Sequence, residues 1–179
     1  MQSPVFEFSP TTLQGSDLLK IIVMKSPSLH ELKNELTSMP SAELVKICIQ
    51  LAKYKKENKE LLGYLLFDSN YEPEYIKRIK DELDVLFAEI NTLNLYVAKK
   101  SIRKILRITN KYIRYSNRKS TEVELRIYYC IKLKQSGVPL QSGQALNNIY
   151  EGQILKINKA VSTLHEDLQH DYNEELKRI

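Results

Sequence analysis

LYVAKKSIRKILRITNKYIRYS, residues 95–116, decides how this chain is read. Leu95, Ala98, Ile102, Ile105, Leu106 and Ile113, with Thr109 among them, recur at steps of three and four. That is the period of a helix burying one side. Between Glu89 and Glu122 the chain has no acidic residue, yet it carries nine Lys and Arg. Six of them, Lys100, Lys104, Arg107, Lys111, Arg114 and Arg118, alternate steps of four and three. On a helix turning about 100° per residue they share an arc of roughly 80°, opposite the apolar stripe, over about 27 Å. Tyr96 and Tyr115 sit beside the row, at about 40° and 60° from Lys100 on the wheel. A one-sided cationic ridge is the only feature of the sequence that points to a kind of partner.

The same periodicity runs outward in both directions. Ser28 caps SLHELKNEL, with Leu29, Leu32 and Leu36 on one face and Glu31 in the first turn. Pro40 breaks the chain, and Ser41 caps a helix carrying Leu44, Ile47, Cys48, Leu51 and Tyr54. LLGYLLF, residues 61–67, reads as a short buried helix in which Gly63 marks close packing or a weak point. DSNYEP is a turn, with Pro73 suited to the first position of the next helix. That helix presents Ile76, Ile79, Leu83, Leu86, Phe87 and Ile90, with Glu74, Asp81, Glu82, Asp84 and Glu89 on its other face. After the basic helix, Thr121 and Glu124 form a T-x-x-E capping box opening a helix to Gln135. Gly137 then supplies a stop, with Pro139 beyond it. Ser142 or Gly143 starts a last long helix through Ile149, Ile154, Ile157, Val161, Leu164 and Leu168.

The expected fold is therefore all-α: an irregular antiparallel bundle, or short curved array, of six to seven helices over residues 28–179. Five Gly and six Pro in 179 residues leave few tight turns for a β fold. Residues 1–27 hold three of the six prolines and no sustained period. They read as a loosely held arm, with Met24 a candidate true start. LLKIIVM, residues 18–24, is far short of the ~20 residues that span a bilayer, and no basic segment precedes it as in a signal peptide. Cys48 and Cys130 lie within helical patterns and read as reduced, buried thiols, placing the chain in the cytoplasm.

SLHELKNELTSMPSAELVKICIQLAKYKKENKELLGYLLF pairs a short Leu-spaced helix and a small-residue cap with the element Lys56, Glu57, Lys59, Glu60 ahead of an apolar run. From Lys99 a basic helix leads through a short linker to a helix whose apolar face ends in Tyr128 and Tyr129. Together these stretches resemble a family of uncharacterised helical bacterial proteins, over roughly residues 28–177. The resemblance implies an all-helical cytosolic protein and supplies no activity.

Chemistry-bearing motifs are few. His165 and His170 lie about 140° apart on a helix, and Gln169 stands where H-E-x-x-H needs its second His. Asp167 and His170 make half of a di-metal bundle site, without the rest. No phosphate loop, nucleophile elbow or cofactor-binding motif occurs. No catalytic, cofactor or metal residue is assigned.

The net charge of +5 permits an anionic partner without requiring one. The basic row has four readings: neutralisation by the acidic stretches 74–89 and 166–175, an acidic protein partner, nucleic acid, or a membrane surface. On DNA, six neutralised phosphates would give a log–log salt slope of about −5. The reading taken is a non-enzymatic interaction scaffold whose partner surface is Lys100, Lys104, Arg107, Lys111, Arg114 and Arg118, with Tyr96 and Tyr115. Nucleic-acid binding through the same row comes second, and an enzyme with an unrecognised pocket third.

Overall fold

A computed structural model describes residues 26–140 and 144–177. The described residues form eight α-helices and one π-helical turn. The proposed start at Met24, nearly all of the 1–27 arm, and a helix start at Ser142 or Gly143 lie outside them. The chain divides into two units, Met1–Ile47 and Cys48–Ile179.

The first unit contains α1 (Leu29–Ser38) and the opening of α2 (Ser41–Tyr54). Ser28 and Glu31 close a full capping box: Glu31 N–H donates to Ser28 Oγ, and Ser28 N–H donates to Glu31 Oε2 at 2.7 Å. This satisfies two amides that the helix start leaves without partners. Leu29, Leu32 and Leu36 share a face, as expected, and all three are exposed.

The second unit holds the core. After the rest of α2 come α3 (Lys56–Gly63) and the π-helical turn Tyr64–Asp68. Then follow α4 (Glu72–Ala88), α5 (Leu95–Ser116), α6 (Lys119–Gln135), α7 (Gln144–Val161) and α8 (Glu166–Leu176). α6 packs against α4, α5 and α7. Tyr129 on α6 donates to the Ile102 carbonyl, while Thr121 and Ser116 meet at one carboxylate, so α5 and α6 run antiparallel. Lys80 pairs with Glu124, and Asp84 with Lys132, so α4 and α6 run in the same direction.

The predicted faces of α4 and α5 are the observed ones. Ile76, Ile79, Leu83, Phe87 and Ile90 are buried, as are Ala98, Ile102, Ile105, Thr109 and Ile113. Each fully buried Leu or Ile stabilises the fold by about 1.5–3 kcal/mol. α6 also buries Val123, Leu125, Ile127, Tyr129, Cys130 and Leu133. Its buried positions, Thr121 and Arg126 among them, are spread around the helix rather than along one stripe, because neighbours pack on several sides of it.

Several local expectations are corrected. LLGYLLF is not buried: Tyr64 is, but Leu65, Leu66 and Phe67 point outward, since the turn beyond Gly63 widens into a π-helix and shifts their angular positions. A Cβ at Gly63 would meet no atom within 4 Å, so close packing does not explain that glycine. Cys48 is exposed; Cys130 is buried, as read.

Thr121 and Glu124 do not cap α6. Asn117 turns left-handed at φ 54°, Arg118 takes the N-cap position, and the helix is already running at Thr121. Thr121 and Glu124 instead spend their side chains on Glu72 and Lys80. Gly137 does stop α6, at φ 72°.

The last helix is two. Ser162 and Thr163 hydroxyls donate back to the Lys159 and Ala160 carbonyls, competing with the backbone ladder. His165 then becomes the extended N-cap of α8.

Candidate functional site

α5 starts where Asn94 Oδ1 accepts from the amides of Tyr96 at 3.0 Å and Val97 at 3.2 Å. Burial of the Ala98–Ile113 stripe fixes the rotation of the helix. Lys100, Lys104, Arg107 and Arg114 therefore face outward and are exposed, as does Arg103. None of the five makes an ion pair among the described residues. Lys100 instead sets its ammonium 4.5 Å from the centroid of the Tyr96 ring, which is itself 67% exposed.

The other end of the row is engaged. Lys111 is half-buried, its Nζ 2.6 Å from Glu60 Oε2 on α3. Tyr115 donates to the same oxygen at 3.1 Å. Burial pushes the Glu60 carboxyl up, but the Lys111 and Tyr115 hydrogen bonds outweigh it and leave the group below its usual range. Arg118 lies beyond the helix, past left-handed Asn117. It donates to the Ser69 carbonyl at 2.5 Å and lies 3.5 Å from Glu72 Oε2. The basic row is thus two things: an outward segment from Lys100 to Arg107, continued by Arg114, and two cations that tie α5 and its exit to α3 and α4. The helical part spans about 21 Å rather than 27 Å.

The carboxylates that engage the row are Glu60 and Glu72, not the acidic residues of 74–89 or 166–175. On α4, Glu82 accepts from Tyr112 at 2.7 Å, and Asp84 accepts from Tyr128 at 2.6 Å and pairs with Lys132 at 2.7 Å. Glu82 and Asp84 of that face are thus spent on tyrosines and on α6, while Glu74, Asp81 and Glu89 are exposed and away from the row's ion pairs.

Beside the outward segment runs a groove of about 770 Å³, lined on α5 by Lys100, Arg103, Lys104 and Arg107, with Leu106 below them and Ile149 of α7 opposite. Among the described residues no carboxylate lines it. Through Arg107 and Asn110 it continues into a second groove of about 540 Å³, toward Arg114, Arg118 and Lys119. Among the described residues Glu122 is the only acid there, and Lys119 at 2.9 Å and Arg126 at 3.0 Å neutralise it. Arg126 is buried and also donates to Asn110 Oδ1 at 3.0 Å and Gln153 Oε1 at 2.6 Å. This network holds the groove wall in place. Sequence reasoning missed Asn110, Arg126, Gln153 and Ile149. The Glu122–Arg126 spacing was visible, but it reads as an ordinary surface pair on a helix.

A second buried polar cluster centres on Glu72, which accepts from Tyr64 at 2.8 Å, from Thr121 at 2.5 Å and from Ser116. Burial pushes its carboxyl up, and the three hydroxyl hydrogen bonds together with Arg118 pull it below the usual range. The Glu72 carboxylate therefore ties α4 to the π-helical turn, to the end of α5 and to the start of α6. His165 and His170 are exposed, and among the described residues no three His, Cys, Asp or Glu are grouped to hold a metal ion. No helix of the described residues is long and apolar enough to cross a membrane.

Compared with known proteins, the chain matches no family model, no curated protein and no solved structure. The functional reading therefore rests on the geometry of α5 alone.

Proposed function

We propose that this chain is a non-enzymatic cytosolic interaction protein that docks an acidic protein segment along α5. One observation carries the reading: Lys100, Arg103, Lys104 and Arg107 line one groove, exposed and without a carboxylate among the lining residues. Cations left unpaired beside low-dielectric walls concentrate positive potential, which speeds encounter with an anionic partner and orients it. Leu106 and Ile149 give that partner an apolar strip to cover. Membership of the family of helical bacterial proteins suggested by the sequence belongs to the same proposal.

Nucleic acid is the second reading, favoured by the exposed Tyr96 ring beside Lys100. Tyr115 no longer supports it, because its hydroxyl is held by Glu60 and its ring is half-buried. One aromatic does not make the succession of stacking platforms that single strands use.

A salt series separates the two. Labelled oligoglutamate, single- and double-stranded oligonucleotides, and heparin are titrated against the purified protein. Preference for the acidic peptide over heparin supports the proposal. Preference for oligonucleotides transfers the groove to nucleic acid, and no binding at low salt removes both.

A further inference from the structure

A second surface lies between α3 and the part of α2 that belongs to the second unit. Neither helix has a fully buried residue, and the π-helical turn that follows has only Tyr64. Ile49 of α2 and Leu66 and Phe67 of the turn are 47%, 62% and 74% exposed and wall a groove of about 730 Å³. Large apolar side chains gathered around one concavity mark a contact surface, in a way that scattered ones do not. Four lysines, among them Lys53, Lys56 and Lys59, line the same groove, and among the described residues no acid does.

The two features constrain the occupant together. The groove wall runs from Lys56 at the start of α3 to Phe67, about 16 Å at 1.5 Å per residue, which matches three turns of helix. Its apolar walls require side chains projecting at i, i+3, i+4 and i+7 from one face. Its lysine rim requires carboxylates on the flanks of that face. A concave groove takes knobs from a helix, whereas a bilayer is a flat surface that takes protruding side chains. We propose that this groove binds an amphipathic helix of a partner protein, apolar on one face and acid-flanked. The site shares no residue with the α5 groove and does not depend on it.

The test uses the full chain and a labelled peptide of about 16 residues, long enough for four turns, with Leu at i, i+3, i+4 and i+7 and Glu on both flanks. Controls are the same residues scrambled to destroy the apolar face, and vesicles containing phosphatidylserine. The patterned peptide binds, and the scrambled one binds at least about tenfold more weakly. Leu66→Gln with Phe67→Gln, both at exposed positions, weakens binding by about tenfold, with circular dichroism unchanged. Lys53→Glu with Lys59→Glu weakens it similarly and removes its salt dependence. Lys100→Glu, Lys104→Glu and Arg107→Glu together leave it unchanged, which separates this site from the α5 groove. Equal binding of the scrambled peptide, no effect at Leu66 and Phe67, or binding to the vesicles with none to the peptide overturns the proposal.

Discussion

Lys111 Nζ lies 2.6 Å from Glu60 Oε2, and this contact marks where the basic row stops being surface and becomes structure. Lys111 is three positions from Arg114 and four from Arg107, on the same helical arc. Its flanking neighbours point to solvent, while Lys111 fastens α5 to α3. The pair is partly shielded, with about a quarter or less of either side chain exposed. Its coupling should therefore stand at the upper end of the range for surface pairs, about 1 kcal/mol. Lys111→Met and Glu60→Gln, singly and together, measured by urea unfolding, should show that coupling in a double-mutant cycle. Lys104→Met should change stability by less than about 0.5 kcal/mol.

Glu72 gives a sharper stability prediction. Removing its carboxylate leaves the hydroxyls of Tyr64, Ser116 and Thr121 without their acceptor in a buried junction. Glu72→Ala should cost about 2–4 kcal/mol, by the penalty for buried polar groups left unpaired. Thr121→Val, which removes one donor and keeps the shape, should cost distinctly less.

The pH dependence follows from the same group. Glu60, Glu72 and Glu122 all sit below the ordinary glutamate value of 4.5 in the folded chain. A depressed folded value means the stabilisation is complete above the unfolded value and fades as pH falls through the folded one. Stability should therefore hold from neutrality down to about pH 4.5 and then fall steadily. Glu72→Gln should lower the plateau and flatten part of that acid limb. An acid limb identical in the variant would remove Glu72 from this account.

The two cysteines should behave oppositely. Cys130 is fully buried, and burial pushes its thiol up to about 12. Cys48 is exposed. A thiol reagent should modify one of the two at neutral pH in the native protein and both in denaturant. Cys48→Ser should abolish the native reaction.

Two glycines should respond with opposite sign. Gly63 has ordinary helical dihedrals and open space around a Cβ, so Gly63→Ala should stabilise by about 0.5–1 kcal/mol. Gly137 is left-handed at φ 72°, so Gly137→Ala should destabilise by about 1 kcal/mol. Thermal midpoints of the two variants check both.

Much of the fold was legible in the sequence where one period ran unbroken. Ile76 to Ile90 and Ala98 to Ile113 each keep a single buried face, and both faces were read correctly. The reading failed where a local cue competed with a tertiary contact. Thr121 looked like a cap because its spacing to Glu124 fits one, yet its hydroxyl goes to Glu72, forty-nine residues away in sequence. LLGYLLF looked buried because it is apolar, and no periodicity argument foresees a π-helical turn. Within the basic row, Lys111 and Lys104 are indistinguishable by spacing. What separates them is Glu60 on another helix, and sequence pattern carries no such long-range pairing.

The most direct test of the α5 groove is charge reversal of its outward segment. Oligoglutamate binding by the intact protein is compared with that of Lys100→Glu, Lys104→Glu and Arg107→Glu combined, with circular dichroism confirming equal helicity. The account predicts salt-sensitive binding by the intact protein and a loss of more than about tenfold in the variant. Undiminished binding by a folded variant would contradict it, and the partner surface would then lie elsewhere on the chain.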